Sequence, residues 1–503
     1  MPRNDLQQFV VMPARGLRAA TLGTRETVAF LVANQAGPMR LGVAGAALAG
    51  ARRLVAAPGR VRVLDSIHED GAKLIEVSEA GLLALRAEQP GLRVVPVVYY
   101  QTAEAPRLTV SGRARAAGGR ASVAMTIRLL SAKSAAPVKG ADVVAFTDFE
   151  AREGAMGKTD SAGKVRLALG PSSRRIERLY VYPELGYWGL FRKGITLKNG
   201  QTISLNPLDL AYADGVRHFL PPGQVATGQG VKVAVVDTGI GPHPDLQVQG
   251  GLNTVHGESP TDFADSGALH GTHVGGIIAA RGTPPKGIRG VAPGVTLRSY
   301  RVFGRNAKGA SNFAIAKAID AAVADGCDLI NMSLGGGPPD QLTSAAIADA
   351  RAAGVLVIVA SGNDDRSPVS FPASDPRSVA VSAVGRKGTF PAHSLGAGDV
   401  AAPYGSDPHD FIASFSNIGP EIDVVGPGVD IISTVPGGYA SMSGTSMACP
   451  AITGMAARIV GAHPAVVGAA RDQARSDAMA RLLSSAARSL GFALRYEGHG
   501  LPR

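Results

Sequence analysis

Cysteine is almost missing from this chain, aromatic residues are scarce and no long apolar run occurs; each scarcity closes off a class of protein. Two cysteines, Cys327 and Cys449, in 503 residues cannot build a disulfide framework. Both lie in apolar or small-residue segments, where a lone thiol behaves as a small buried hydrophobe. Aromatic residues make up 5% of the chain, too few for base-stacking platforms. The arginines are scattered rather than gathered into runs, so the net charge of +11 does not carry a nucleic-acid reading. Nothing approaches the ~18 consecutive apolar residues of a membrane span. The start, Met1-Pro2-Arg3-Asn4-Asp5, leads into a short apolar stretch at Phe9-Val10-Val11-Met12, too brief for a signal-peptide core. A cytoplasmic location is expected over unconventional export.

What the chain has in quantity is glycine and proline, 64 and 33 residues, which supply many tight turns between packed elements. With 45% hydrophobic and 18% charged residues it reads as globular, and its length exceeds what one hydrophobic core supports. Three textures follow one another. Residues 1–105 read as a small α+β unit, with strands at Phe9–Met12 and Ala72–Val77, a helix capped by Ser78 with Leu82 and Leu85 on one face, and a returning strand over Leu92–Tyr100. Residues 106–210 carry short strands at Thr126–Leu130, Asp142–Phe146, Val165–Leu169 and Leu179–Val181 between turn signals, the pattern of a β-sandwich. Residues 211–503 alternate buried strands (231–236, 297–302, 329–332, 355–360, 379–383) with helices (312–325, 344–353). That alternation calls for an α/β fold, a parallel sheet with helices on both faces, whose ligands bind at the carboxyl ends of the strands.

The chemistry-bearing residues fall at those ends. Hydrolysis by a serine needs a hydroxyl, a base, a carboxylate that orients the base, and donors for the oxyanion. Strand 231–236 delivers Asp237. His270, in His270-Gly271-Thr272-His273, stands at a helix start; a second imidazole three residues on invites a metal reading, but a zinc peptidase wants the i, i+4 spacing with an adjacent glutamate, so His273 reads as a packed neighbour. Ser446, in Gly444-Thr445-Ser446-Met447-Ala448, sits at a helix start whose unpaired N–H groups suit an oxyanion. Asn363, after a buried strand and Gly362, offers a second donor.

This ordered set, together with Gly290-Val291-Ala292-Pro293, Asn331-Met332-Ser333-Leu334-Gly335 and Ser416-Asn417-Ile418-Gly419-Pro420, resembles the subtilisin-like serine proteases. The resemblance implies a serine endopeptidase acting on protein or peptide substrates, with Asp237 orienting His270, His270 as base, Ser446 as nucleophile and Asn363 in the oxyanion hole. It also implies that Ser333, Leu334, Gly335, Ala360, Ser361 and Gly362 line the cleft and grip an extended peptide, with an apolar or aromatic residue before the scissile bond. Residues 1–105 resemble the ferredoxin-like propeptides of that family and are expected to act as an intramolecular inhibitor; residues 106–210 resemble immunoglobulin-like modules found beside bacterial peptidases. No cofactor is expected. The family's strong calcium site would use Asp245, but the facing loop 281–287 carries Arg281 and Lys286 and no asparagine, against a cation. Cys449-Pro450-Ala451 stands where the family continues Ser-Pro-His. Segment 386–413 is longer than the family minimum and is expected to form a surface flap near the cleft.

Overall fold

The computed structural model describes residues 6–19, 25–39, 61–113, 124–169, 173–307 and 309–503; the Met1–Asp5 start lies outside them. Among the described residues no helix is long and apolar enough to cross a membrane.

The first layer is an antiparallel sheet built from β1 (Gln7–Pro13), β2 (Gly37–Pro38), β3 (Val61–Ser66), β4 (Lys73–Val77) and β5 (Leu92–Pro96), in the order β2-β3-β4-β1-β5, with α1 (Arg25–Ala33) and α2 (Glu79–Glu88). Ser78 caps α2 by accepting the Gly81 N–H at 3.2 Å, as its sequence signature requires. The two-residue period of the strands sorts their side chains onto two faces. Val11, Ile75 and Val77 pack with Phe30, Leu31 and Leu85 of the two helices. Val10, Met12 and Leu74 pack instead with Phe313, Ala318, Leu342 and Ala346, far along the chain. The expected strand over Leu92–Tyr100 is broken. Pro96 has no N–H to continue the ladder, and the chain leaves the sheet to form β6 (Tyr99–Thr102) elsewhere.

The middle region pairs into two sheets. One orders β13 (Leu190–Lys198), β12 (Ser173–Tyr182), β9 (Asp142–Asp148), β10 (Glu153–Lys158) and β7 (Gly112–Arg113); the other orders β11 (Lys164–Leu167), β8 (Met125–Ser131) and β14 (Thr202–Leu205). Ile127, Leu129, Val143, Ala145, Val165, Leu179 and Val181 fill the space between them. Asp160 holds the turn by which the chain passes from β10 in one sheet to β11 in the other, its Oδ1 accepting from the N–H groups of Ala162 and Lys164.

The last region, which opens with the short α3 (Gly215–Phe219), holds an eight-stranded sheet. Its main path runs β16 (Val248–Asn253), β17 (Thr296–Arg301), β15 (Lys232–Asp237), β19 (Leu329–Met332), β21 (Leu356–Ala360), β22 (Val379–Arg386) and β23 (Asp410–Ile412), and β24 (Ile422–Pro427) also pairs with β22. All pairings are parallel except that of β23. Alternation again shows which face each residue serves. Val233, Val235, Leu329, Leu356 and Ile358 pack towards α4 (His270–Ala279) and α7 (Thr445–Gly461). Ala234, Val236, Ile330, Val357 and Val359 pack towards α5 (Asn312–Ala324) and α6 (Gln341–Ala352). Ser311 caps α5 through the Ala314 N–H at 3.1 Å. Asp340 caps α6 three residues earlier than the apolar pattern suggests, accepting from Leu342 and Thr343.

Four further short strands lie beside the sheet. β18 (Ala310–Ser311) and β20 (Leu334–Gly335) flank β6 on either side, both antiparallel to it, and β25 (Ile431–Val435) with β26 (Gly438–Met442) forms a hairpin leading into α7. The segment that leaves the first sheet therefore ends as a guest strand in the third region. Segment 386–413 is no free flap. His393 O accepts the Phe191 N–H at 2.8 Å, and Leu395 and Ala397 pack with Phe146, Tyr180 and Phe191, so it is the seat on which the middle region rests.

Candidate active site

Asp237 ends β15, and the Thr238-Gly239 turn carries the chain down beside α4. The Thr238 hydroxyl accepts the Gly271 N–H at 2.8 Å, satisfying one of the unpaired donors of that helix's first turn. Gly271 has no room for a side chain: a Cβ there would lie 2.3 Å from Gly239 O. Leu269, just before His270, is held at φ 66°, a region that costs a non-glycine residue about 1–3 kcal/mol. The outcome is that His270 Nδ1 and Asp237 Oδ1 stand 2.8 Å apart, both side chains buried. Burial alone drives the His270 imidazole towards its neutral form; the Asp237 charge and hydrogen bond, helped by Glu104 and Asp265, outweigh it and leave the net pKa above the ordinary value. His270 Nε2 and Asp237 Oδ2 have no protein partner. His273 lies deeper, with Nε2 at 3.0 Å from Ile431 O and 3.2 Å from Ala440 O. Burial, then the charge of His270, pushes it down to about 3, so it is a neutral packing residue beside the first.

Gly444 precedes α7, and Ser446 is its second residue. The Ser446 hydroxyl donates to the Ser333 carbonyl at 3.1 Å, and the Ser333 hydroxyl donates back to Ser446 O at 3.0 Å. Asn363 is fixed by its Oδ1, which accepts from Thr445 N at 2.8 Å and from Thr445 Oγ1 at 3.1 Å; its Nδ2 is the end that Thr445 does not use. Cys449, three residues into the helix from Ser446, is buried with Sγ bonded to Asn331 and Ile358. Burial pushes its thiol up to about 12, which makes it inert packing.

The guest segment crosses this site. Thr102 and Gln101 pair with Leu334 and Gly335, and Tyr100 and Tyr99 with Ala310 and Ser311. Ala103 N donates to Ser333 O at 3.0 Å, Ser446 N donates to Ala103 O at 2.9 Å, and Ala105 N donates to Ser443 O at 2.9 Å. The approach is so close that a Cβ on Gly444 would meet Ala103 O at 2.7 Å; only glycine fits. Of the six residues expected along the cleft, Ser333, Leu334 and Gly335 bond the segment through their backbones. Ala360, Ser361 and Gly362 make no described bond to it. The opposite edge, Ala310–Ser311, went unseen in the sequence, because two residues carry no period. Tyr100 is the buried aromatic of the segment, its hydroxyl donating to Pro338 O at 3.0 Å and to the Asp340 carboxylate. The residue at Ser446 itself is the small Ala103.

Among the described residues no cluster of three or more metal-ligating side chains occurs. Asp245 Oδ2 accepts from Ile288 N at 2.8 Å and Tyr439 OH at 2.9 Å, and Arg281 and Arg289 belong to the loop it supports. That donor set does not fit a calcium ion.

Fold and site together define a hydrolase class: a parallel sheet with a serine at one helix start, and an imidazole at another helix start paired with a carboxylate at a strand end. The family model described as "Subtilase family" matches residues 228–500. Subtilisin BL of Lederbergia lenta is 40% identical over 239 residues, 47% of this chain and 79% of the relative. Subtilisin Savinase of the same organism is 39% identical over the same coverage, and M-protease of Shouchella clausii (strain KSM-K16) is 39% identical over 239 residues, 56% of its length. The chain belongs to the subtilase family and is a subtilisin-like serine endopeptidase. Residues 1–227 stand outside the family match.

Proposed function

We propose that the chain hydrolyses peptide bonds through an acyl-enzyme on Ser446, and that its first substrate is its own Ala103–Glu104 bond. Asp237 holds the His270 tautomer; the Ser446 hydroxyl turns from Ser333 O to His270 Nε2, yields its proton there and attacks the carbonyl carbon. The oxyanion is held by the Ser446 N–H and the Asn363 amide. Collapse breaks the C–N bond while His270 returns the proton to the leaving nitrogen, and water then hydrolyses the ester with His270 again as base. Residues 1–105 act as the inhibitory unit, 106–210 as an accessory unit and 211–503 as the enzyme. Proteins and peptides are the substrates, and no step calls on a cofactor.

One observation supports this above others: the carbonyl of Ala103 lies on the Ser446 N–H while its flanking residues are hydrogen-bonded as an added strand, the pose of an extended substrate. A fluorophosphonate probe together with a peptide anilide tests the assignment. Wild type is labelled and hydrolyses the anilide; Ser446→Ala does neither. A mutant that keeps more than about a tenth of the activity contradicts it, since loss of this nucleophile in subtilisin itself costs on the order of a million-fold.

A further inference from the structure

Beyond Ala103 the guest segment is partly covered at Glu104, Ala105 and Leu108, while Pro106 and Arg107 are exposed. It enters a cavity of about 300 Å³ between the middle region and the catalytic sheet. Phe149, Tyr180 and Tyr182 of the middle region form one wall; Phe415, Asp399 and Asp430 of the catalytic region form the other. A subtilisin-like catalytic region by itself supplies only the second wall, because the first comes from residues outside the family match. Leu108 is anchored there, its N–H donating to Tyr182 OH at 3.2 Å, and it packs with Phe146, Tyr180 and Phe191.

The fourth residue past the Ala103–Glu104 bond is Arg107. Its guanidinium stands 5.6 Å from the centroid of the Tyr182 ring and 3.7 Å from the Asp142 carboxylate. Both partners belong to the middle region. Of the other cations nearby, Arg152 and Arg178 lie over the Phe149 ring at 4.3 and 3.5 Å, and the half-exposed Lys158 is shared between Asp142 at 3.8 Å and Glu184 at 3.6 Å. Across the cavity, Asp430 is filled by Ser394, Gly396 and Ser441, while Asp399 has a single long bond, from Ser414 Oγ at 3.5 Å. Burial raises the pKa of both carboxyls, well above the ordinary value for Asp399, and so favours their neutral forms; the charge offered to a basic side chain is that of Asp142.

We propose that the β-sandwich supplies the leaving-group side of the substrate site, and that Tyr182 with Asp142 forms a subsite for a basic side chain four residues beyond the scissile bond. The proposal rests on the Ser446 protease reading, since it takes the guest segment as the template for substrate. After self-cleavage the end at Glu104 is released from Ser446 while Leu108 keeps its bond to Tyr182, and a substrate's basic side chain competes with the exposed Arg107 for Tyr182 and Asp142. A ring face and a carboxylate at half-exposed positions discriminate modestly, and they act alike in ground and transition states, so the effect belongs in KM.

Internally quenched peptides that share one sequence up to the scissile bond, and carry Arg or Glu at the fourth position after it, test this on the full chain after self-processing. Wild type is expected to prefer Arg by about fivefold in kcat/KM, mostly through KM. Asp142→Asn, a near-isosteric change at a half-exposed site, and Tyr182→Leu each bring the ratio below about twofold. Equal rates in wild type, or a preference that survives both substitutions, overturns the proposal. A peptide anilide, which has no residues after the scissile bond, separates the two claims. Hydrolysis of the anilide without a preference for Arg removes the subsite alone, whereas no hydrolysis of either substrate removes the protease reading and the subsite with it.

Discussion

The Ser446 N–H donates to the carbonyl of Ala103 at 2.9 Å, so a donor assigned to a developing oxyanion is already engaged by a peptide of the same chain. If the Asn363 amide is the second donor, Asn363→Ala lowers kcat by about 100–1,000-fold and moves KM little. The substitution also leaves the buried Thr445 N–H without its acceptor, which costs about 1–3 kcal/mol of stability. Steady-state kinetics on folded mutant separates these effects; a change confined to KM shows that Asn363 only shapes its loop.

The pH dependence of self-cleavage reports on Glu104. A base must be neutral to accept a proton, so scission is slow below the raised pKa of His270 and rises as pH passes through it. The negative charge of Glu104 favours the imidazolium and contributes to that rise. Glu104→Gln removes the charge and lowers the His270 pKa, and the rising limb of the rate profile moves to lower pH. An unmoved limb, or one shifted to higher pH, contradicts the placement of Glu104 beside His270.

Docking of the first region rests on apolar packing with a few specific polar bonds. Arg18 meets Asp320 in a two-pronged bond of 3.0 and 2.8 Å, and Lys317 meets Asp65 at 2.7 and 2.8 Å. Both pairs are partly exposed, where such bonds contribute modestly and are screened by salt. Asp320→Asn therefore weakens inhibition of the processed enzyme by fragment 1–103 about fivefold at low salt, and less at high salt. An inhibition constant insensitive to both the substitution and the salt would remove these pairs from the interface.

Tyr100 is a larger contributor. Its ring is fully buried and lies 6.0 Å from that of Phe371, and its hydroxyl serves Asp340 and Pro338. Tyr100→Ala is expected to weaken the hold of the fragment by about 3–5 kcal/mol. Tyr100→Phe, which keeps the ring and leaves the two acceptors without their donor, costs about 1–3 kcal/mol. Competition binding against a fluorogenic peptide ranks the two; equal effects would show that the ring carries nothing.

The parts legible in the sequence are those written locally. Asp237, His270, Asn363 and Ser446 stand beside glycines and small residues that form turns at strand and helix ends, and the near-continuous apolar runs of 231–236 and 355–360 forecast a sheet buried on both faces. What the sequence concealed depends on contacts between distant segments. Leu92–Tyr100 looks like one apolar strand, yet Pro96 divides it and Tyr99–Thr102 finds its partners beyond residue 309. Segment 386–413 reads as a flap because nothing local announces that Leu395 and Ala397 will meet Phe191. Asp142 and Tyr182, proposed as a subsite, lie in ordinary strand patterns, and only the path of Arg107 across them draws attention to them.

The intact masses of purified wild type and Ser446→Ala, with sequencing of any new amino terminus, test the central claim most directly. If Ser446 cleaves the peptide that lies across it, wild type yields two fragments with a new terminus at Glu104, and Ser446→Ala remains one uncut chain. A wild-type chain that stays whole while hydrolysing added peptides, or a cut at Ala103–Glu104 that persists in Ser446→Ala, would contradict it.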